Sequence, residues 1–483
     1  MITAKGAQSH EHEHRQNRFS VIPIAEKLKA ERELSGKGVT IAFLDSGFYP
    51  HPDFAGRVKA FKDIAGEEDS FGSSSGPQGH HWHGTQTVSS CAGDGRLSDG
   101  VYRGLASEAE LVLIKVSEKG GRIPDENIEK GLQWVIDHRE EFDIRVLNMS
   151  LGGDRDAPTV ESPVNQLAEK LVALGVTITV AAGNSSEGCS IPPASSPSVI
   201  TVGGFSDENQ FEEGGFDLYH SNFGETADGL VKPELIAPAM FVAAPILPET
   251  EDYRIAEVLS MLHSAPDYAF RRLLDEYWRT AGLPEDVLYA KLADARLLVE
   301  DRLRERKIVA THYQHVDGTS FAAPITASVV AQMLQANPRL TPPVIKNILI
   351  STASRLTGFP AVRQGFGILN PAGAVAEARD EGHFSEDAFL TPPRVEGRRI
   401  VFFYHDDRAK RVALAGDFNG WNAEKTRFTQ CRSGIWEAAI PCLPSGRYRY
   451  KLVVDGRVWI EDPNNGMKDE DGYGGFNSVF LVG

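Results

Sequence analysis

Residues 317–324 read DGTSFAAP, and they place a serine, Ser320, at the head of a small, apolar run. The run continues through residues 325–330, which predicts a loop that delivers a hydroxyl to the first turn of a buried helix. Pro324 is tolerated there because the first turn has no intrahelical N–H bond to lose. The free N–H groups and positive dipole end of such a helix favour negative charge beside Ser320. Serine is far commoner as a helix cap than as a nucleophile, so both interpretations remain open.

Asp45 follows a stretch with the character of a buried strand. Residues 39–44 read VTIAFL, a continuous apolar run that is typical of a strand in a parallel sheet. Open α/β sheets place their sites just beyond the carboxyl ends of such strands, which makes Asp45 a candidate site residue. A turn-forming aspartate before Ser46-Gly47 explains the same residue equally well.

Strands and helices alternate along the chain up to about residue 202. This alternation predicts an α/β fold, a parallel sheet with helices on both faces. The predicted strands cover residues 111–116, 143–150, 176–180 and 199–202, and the predicted helices cover residues 24–34, 128–138 and 163–174. Asn184 follows one of these strands in the sequence AAGN, so a second polar residue falls at a strand end.

Residues 80–83 read HHWH and open a run of small residues that predicts a helix packed in the core and ending at Gly93. Three histidines raise the hypothesis of a zinc site. Neither an HExxH pair nor a cysteine partner accompanies them, so the sequence favours a site without metal.

After about residue 248 the composition and the predicted secondary structure change twice along the chain. Residues 249–307 are charged, leucine-rich and helical, which predicts a helical insertion that acts as a lid, an exosite or a dimer contact, or is a plain surface excursion. An acidic stretch with two prolines predicts a linker over residues 377–397. From residue 398 to 483, short strands and turns, including an Asp455-Gly456 hairpin signal, predict a separate all-β, immunoglobulin-like sandwich.

Composition narrows the class of function. A chain of 483 residues with a formal net charge of −17 at pH 7 lacks the basic surface that a nucleic-acid or anionic membrane partner requires. The four cysteines form no CxxC pair, which is typical of a reducing compartment. Residues 1–20 form a polar tail without an apolar core, so we expect a cytoplasmic location; His10, His12 and His14 in this tail raise a weaker metal-binding alternative.

The strand-end and helix-start residues together resemble the subtilisin family of serine peptidases over residues 21–376. The motifs that carry the resemblance are residues 41–47 with 51–54, residues 83–85, 148–153, 181–184, and 318–320 with 322–324. Each motif alone is weak, but their order at the expected strand and helix ends is specific. The resemblance implies a three-layer subtilisin-like fold and an Asp-His-Ser triad.

The resemblance also implies a role for each site residue. Ser320 is the nucleophile, His83 takes and returns its proton, and Asp45 orients His83. The Asn184 amide and the Ser320 backbone N–H bind the oxyanion. The implied substrate-binding residues are Ser150, Leu151, Gly152 and Gly153, which pair with an extended peptide, and Ala181, Ala182 and Gly183, which line the primary pocket with residues 189–192 at its base.

Several positions depart from the family pattern. Gln86 stands where the family usually has a second histidine, and no propeptide of the usual length precedes Asp45. The calcium loops match poorly: Asp94 and Asp99 lie near one such position, although turn formation explains both. We therefore expect no cofactor in catalysis and leave a structural calcium ion open.

Residues 398–483 resemble the glycogen-binding modules of carbohydrate-binding family 48. The matching residues are 414–421, 446–451, 454–456, Trp459, 462–463 and Asn477. In glucan-binding members two aromatic platforms, a lysine and an asparagine hold the sugar, and Trp421, Trp459, Lys451 and Asn477 occupy those positions. The same sandwich also serves as a docking domain. The sequence thus predicts an intracellular serine endopeptidase with a glycogen- or protein-binding module; the alternative is a glycogen-associated scaffold with a latent protease fold.

Overall fold

The computed structural model describes residues 21–482 except 67, 69, 74–75, 154–155, 187, 211–214, 381–390 and 433. The predicted tail, with its three histidines, and the middle of the predicted linker lie outside the described residues.

A parallel sheet forms the centre of the first part of the chain. The first ten strands are β1 Thr40–Asp45, β2 Val58–Asp63, β3 Glu110–Lys115, β4 Ile144–Met149, β5 Thr177–Ala181, β6 Ile200–Ser206, β7 Asp217–Leu218, β8 Gly224–Glu225, β9 Val231–Lys232 and β10 Leu235–Pro238. Within the described residues the order in the parallel sheet is β10-β6-β5-β4-β1-β3-β2, with β7 antiparallel on β6, while β8 and β9 pair with each other apart from it. Strands β1, β3, β4, β5, β6 and β10 are almost wholly buried because helices cover both faces of the sheet.

The helices divide the apolar core into two layers. The bounds are α1 Ile24–Lys27, α2 His81–Ala92, α3 Asp125–His138, α4 Pro163–Ala173, α5 Glu251–Ser264, α6 Asp267–Tyr277, α7 Leu292–Glu305, α8 Thr319–Ala336, α9 Pro342–Thr352, α10 Ala361–Gln364 and α11 Pro371–Asp380. On one face α2, α8, α9 and α11 pack against the sheet, and on the other face α3 and α4 do so. Among the described residues, none of these helices combines the length and apolar character needed to cross a lipid bilayer.

The helix predicted over residues 24–34 is much shorter than expected. It ends at Lys27, and Lys29 then adopts a left-handed conformation with φ 49°. The Lys27 ammonium bonds to the Asp207 carboxylate at 2.7 Å, which ties the helix to a loop of the sheet. The apolar spacing up to residue 34 reflects core contacts made by irregular chain, so the periodicity was misleading here.

The helical insertion has an apolar core of its own. Helices α5, α6 and α7 bury Leu259, Leu262, Phe270 and Leu274 among themselves. The insertion begins after β11 Val242–Pro245 and is followed by β12 Ile308–Ala310 and β13 Tyr313–Val316. These strands form a small antiparallel sheet in which β13 lies between β11 and β12. The insertion is therefore anchored immediately before the Ser320 loop.

The C-terminal part is the predicted sandwich of two antiparallel sheets. The bounds are β14 Arg394–Glu396, β15 Arg399–His405, β16 Val412–Gly416, β17 Thr429–Arg432, β18 Ile435–Pro441, β19 Gly446–Val454, β20 Val458–Ile460, β21 Lys468–Glu470 and β22 Phe476–Val482. One sheet has the order β14-β15-β18-β17, and the other has β16-β19-β22-β21 with β20 on β19. Asp455 and Gly456 both have positive φ between β19 and β20, as a tight hairpin turn requires. The predicted fold class is confirmed in both parts.

Candidate active site

Asp45 and His83 are in direct contact at the carboxyl edge of the sheet, and the Ser320 loop lies beside them. Asp45 ends β1, His83 lies in the first turn of α2, and Ser320 is the second residue of α8. Gly84 allows this close approach, since a Cβ atom there would lie 2.2 Å from the Gly47 carbonyl oxygen. Any larger residue would push α2 away from the loop that follows β1.

The Asp45 carboxylate holds His83 by one of its ring nitrogens. The distance from His83 Nδ1 to Asp45 Oδ1 is 2.7 Å, and Asp45 is 1% exposed. The other carboxylate oxygen accepts a hydrogen bond from Thr87 Oγ1 at 3.0 Å. An ionised carboxylate only accepts hydrogen bonds, so His83 donates through Nδ1 and keeps the lone pair on Nε2. This is the tautomer that a general base needs.

The pKa of His83 lies above its ordinary value. Burial of the ring lowers this pKa, while the charge of Asp45 and its hydrogen bond raise it by more. The ring nevertheless keeps contact with solvent, since 21% of the His83 side chain is exposed.

The Ser320 loop is fixed by contacts of its neighbours. Gly318 has φ 141°, a conformation that favours glycine, and its N–H donates to the Ala239 carbonyl at 2.8 Å. The Ser150 hydroxyl donates to the Ser320 carbonyl at 2.8 Å. Among the described residues no hydrogen bond joins the Ser320 hydroxyl to His83. Such bonds are often long in a site without substrate.

Asn184 is oriented through its amide oxygen. That oxygen accepts hydrogen bonds from the Thr319 N–H at 2.9 Å and the Thr319 hydroxyl at 2.8 Å, so its amide N–H groups are turned elsewhere. A Cβ atom on Gly318 would lie 3.7 Å from Asn184 Nδ2 and equally far from the Ser320 backbone nitrogen. Glycine therefore keeps open a space beside which both predicted oxyanion donors lie.

The predicted substrate-binding segments follow β4 and β5. Residues 150–153 carry an exposed Gly152 between half-buried neighbours, while Ala181 and Ala182 are buried and Gly183 is half-buried. The Gly153 N–H bonds to the Pro192 carbonyl at 2.8 Å, so the predicted base segment runs alongside. Ser150 turns its hydroxyl inward to Ser320, which leaves the backbone of this segment as its polar edge.

Sequence reasoning missed several residues that support the site. Thr87 stands one helical turn after His83, a spacing that signals a shared face, and Thr319 lies inside the recognised motif. Lys307, at the end of the insertion, forms an ion pair with Asp317, and Asp317 also accepts the Phe241 N–H at 3.0 Å. Nothing in the local sequence pattern signals the Lys307 contact, because tertiary folding alone creates it.

One described cluster has ligand atoms close enough for a metal ion. The Nε2 atoms of His80 and His81 lie 3.2 and 3.1 Å from Glu68 Oε1. However, His81 Nδ1 accepts the Gln78 N–H at 2.9 Å, so a neutral His81 carries its proton on Nε2 and has no lone pair there for a metal. The Lys115 ammonium, 3.8 Å from the same carboxylate oxygen, adds an unfavourable charge. The cluster fits a hydrogen-bonded network and does not fit a cation.

The two acidic residues near the possible calcium loop serve in turns. Asp94 accepts the Arg96 N–H at 3.0 Å and pairs with the Arg96 guanidinium at the same distance. Asp99 has a left-handed backbone with φ 52°. Turn formation accounts for both.

The four predicted sugar-binding residues lie on one outer face of the sandwich. Lys451 pairs with Ala415 across the sheet, Trp459 pairs with Val453, and Trp421 packs over this surface. Asn477 adjoins Ser478, the partner of Tyr450, and therefore lies beside Lys451. The Trp421 indole donates to Asp417 at 3.1 Å, and the Lys451 ammonium donates to Asp471 at 2.6 Å. Trp459 is 44% exposed.

Comparison with known protein families divides the chain into the same two parts. Residues 36–368 match the model of the subtilase family, and residues 390–465 match that of carbohydrate-binding module 48, the isoamylase N-terminal domain. The serine protease AprX of Bacillus subtilis is 31% identical over 332 residues, which cover 67% of this chain and 63% of that protein. Subtilisin-like protease 1 of Trichophyton tonsurans is 33% identical over 181 residues, 36% of this chain and 32% of that protein.

A solved structure shares the fold. Fervidolysin of Fervidobacterium pennivorans, a keratinolytic enzyme related to subtilisin, superposes with a TM-score of 0.50 at 20% identity over 87% of this chain and 53% of that chain. The present chain thus spans under two thirds of the length of these relatives. At this identity the structural likeness concerns the fold alone.

Proposed function

Because this chain belongs to the subtilase family, we propose that it is a serine endopeptidase acting through Asp45, His83 and Ser320. The observation that carries the proposal is the 2.7 Å bond that leaves His83 Nε2 free as a base beside the Ser320 loop. The two predicted oxyanion donors beside one open space support the same reaction.

In the proposed reaction, Ser320 Oγ attacks the scissile carbonyl while its proton passes to His83 Nε2. The carbonyl oxygen becomes an oxyanion beside Asn184 Nδ2 and the Ser320 N–H. His83 then gives the proton to the leaving amine as the C–N bond breaks. A water molecule repeats the sequence on the acyl-enzyme, which releases the acid and restores the Ser320 hydroxyl.

We propose further that the substrate is an extended peptide and that the module binds an α-glucan such as glycogen. The exposed Gly152 within residues 150–153 supports the first point, because it offers backbone groups for strand pairing. The common outer face of Trp421, Lys451, Trp459 and Asn477 supports the second. The unpaired state of all four cysteines supports a reducing location such as the cytoplasm.

A fluorophosphonate probe tests the assignment of Ser320. The probe should label the wild type and fail to label Ser320→Ala, because the hydroxyl is the atom that becomes modified. Ser264→Ala, an exposed serine at the end of α5, is the matched control and should label fully. Equal labelling of Ser320→Ala would refute the assignment.

A second candidate is a glycogen-associated scaffold with a latent site, which the lack of a Ser320–His83 hydrogen bond among the described residues favours. Casein hydrolysis with and without glycogen separates the two. An endopeptidase cleaves casein in at least one condition, whereas a scaffold retains glycogen and cleaves in neither.

A further inference from the structure

The sandwich is in direct contact with the peptidase domain. Arg355 and Glu461 form a two-pronged ion pair across the boundary, with distances of 2.9 and 3.2 Å. The Val231 N–H bonds to the Gly466 carbonyl at 3.0 Å. The Lys468 ammonium lies 3.2 Å from the centroid of the Phe366 ring. These contacts fix one edge of the sandwich against the segments before and after α9.

Beside this contact lies a crevice of about 650 Å³. One wall belongs to α9 and the residues after it, including Asn347, Ser351 and Arg355. The opposite wall belongs to the sandwich and includes Asp407, Arg408 and Trp459. The walls thus combine amide, hydroxyl, carboxylate and guanidinium groups with one indole, which is the chemistry that recognises sugar hydroxyls and sugar faces.

Two polar atoms of the peptidase wall lack partners within the described part of the chain. Asn347 Oδ1 and Arg355 Nε are both buried, and neither makes a hydrogen bond there. A buried group of this kind is unfavourable unless it is paired, so a ligand hydroxyl that reached either atom, after a small shift of the side chain, would be favoured.

Trp459 belongs to the crevice and also to the predicted sugar face. It lies opposite Val453 on the surface that carries Lys451 and Trp421, and it lines the crevice as well. A sugar chain stacked on this indole would therefore have a continuous path from the sandwich face to α9.

We propose that an α-glucan chain occupies a composite site, in which the sandwich face holds one part and the crevice holds the next part. The peptidase domain then contributes to glucan binding through Asn347, Ser351 and Arg355. This inference rests on the proposed glucan-binding function and adds a requirement on chain length. Short linear α-glucans reach only the sandwich face, whereas long ones reach both parts.

Calorimetric titration of the full chain with a short and a long linear maltooligosaccharide tests the proposal. We expect the wild type to bind the long ligand more tightly, and Asn347→Leu to weaken only the long ligand, by about two- to tenfold. Ser351→Trp should also weaken only the long ligand, because the indole blocks the crevice. Ser351 is exposed, so this variant tests the crevice even if Asn347→Leu does not fold. Gln133→Leu, on α3 outside the crevice, is the control and should change neither affinity.

The outcomes distinguish glucan binding by the sandwich face from glucan binding by the composite site. Trp421→Ala should weaken both ligands, because it acts on the sandwich face. If the wild type binds both ligands equally and neither crevice variant changes this, the composite site is refuted while glucan binding by the sandwich stands. If the wild type binds neither ligand, glucan binding itself is refuted, and the composite site with it.

Discussion

Asp45 in the peptidase site and Asp471 on the sandwich face each hold a neighbouring basic side chain. Asp45 bonds His83 at Nδ1 and leaves Nε2, the nitrogen that would react, available. Asp471 bonds the Lys451 ammonium itself, which is the group that would bind sugar. The first contact prepares its partner for chemistry, and the second competes with the proposed ligand. The same type of contact therefore predicts large effects of mutation in one site and small effects in the other.

The residues of the two sites also differ in exposure. In the peptidase site the Asp45 carboxylate is 1% exposed, while His83 is half-buried and the Asn184 side chain is exposed. On the sandwich, Trp459 is 44% exposed. Electrostatic interactions are stronger where water is excluded, so the buried Asp45 carboxylate should contribute more than the exposed Asn184 amide or the sugar face.

The largest effect should come from Asp45→Asn. An amide at this position can present its own N–H to His83 and favour the wrong tautomer, so we expect kcat to fall by ~10⁴-fold. The measurement is steady-state hydrolysis of a chromogenic peptide. Asp94→Asn, in a surface turn, is the control and should retain activity. A loss of less than about tenfold in Asp45→Asn would mean that Asp45 does not orient the base.

The second-largest loss of activity should come from Asn184→Ala. Loss of one side-chain oxyanion donor lowers kcat by ~10²–10³-fold, with little change in KM, because the donor acts on the transition state. Thr319→Val removes the hydroxyl bond to the Asn184 amide oxygen but keeps the backbone N–H bond and the Asn184 donor, so it should cause a smaller loss. A change confined to KM in Asn184→Ala would place this amide in ground-state binding instead.

The sequence identified these residues because their chemistry coincides with strand ends and helix starts. Asp45, His83, Ser320 and Asn184 each sit in a short motif whose backbone geometry is local. The residues that hold these side chains in place were not predicted, because tertiary folding brings them together. Lys307 reaches Asp317 only through the folded insertion, and Asp417 and Asp471 reach the sugar face across turns. The prediction of a helix up to residue 34 was wrong for the same reason. The apolar residues after Lys27 are spaced to make tertiary contacts with the core and not to form one face of a helix.

The pH dependence should follow the raised pKa of His83. The base must be neutral to accept a proton, so kcat/KM should fall as pH drops through a value above the ordinary histidine pKa of about 6.5. The same shift stabilises the folded protein fully below the unfolded pKa, and this contribution is lost as pH rises through the folded pKa. In Asp45→Asn the acid limb of the residual activity should move to lower pH. An unmoved limb would assign the titration to another group.

The smallest effect should come from Asp471→Asn. The amide keeps an oxygen for the Tyr473 and Gly475 N–H groups, at 2.7 and 3.0 Å, but it releases the Lys451 ammonium from a carboxylate. Since that ammonium then becomes more available to sugar hydroxyls, we expect glycogen affinity to change by less than about fivefold, through hydrogen bonds of modest net strength.

Affinity electrophoresis in glycogen gels measures this change, with Lys451→Met as the matched variant that removes the binding group. A large loss in Asp471→Asn, equal to that in Lys451→Met, would show that Asp471 orients Lys451 as Asp45 orients His83. The contrast between the two sites would then disappear, because both would depend on a carboxylate that fixes its partner. A small change in Asp471→Asn beside a clear loss in Lys451→Met would instead locate the binding energy in the ammonium and leave Asp471 as a competitor for it.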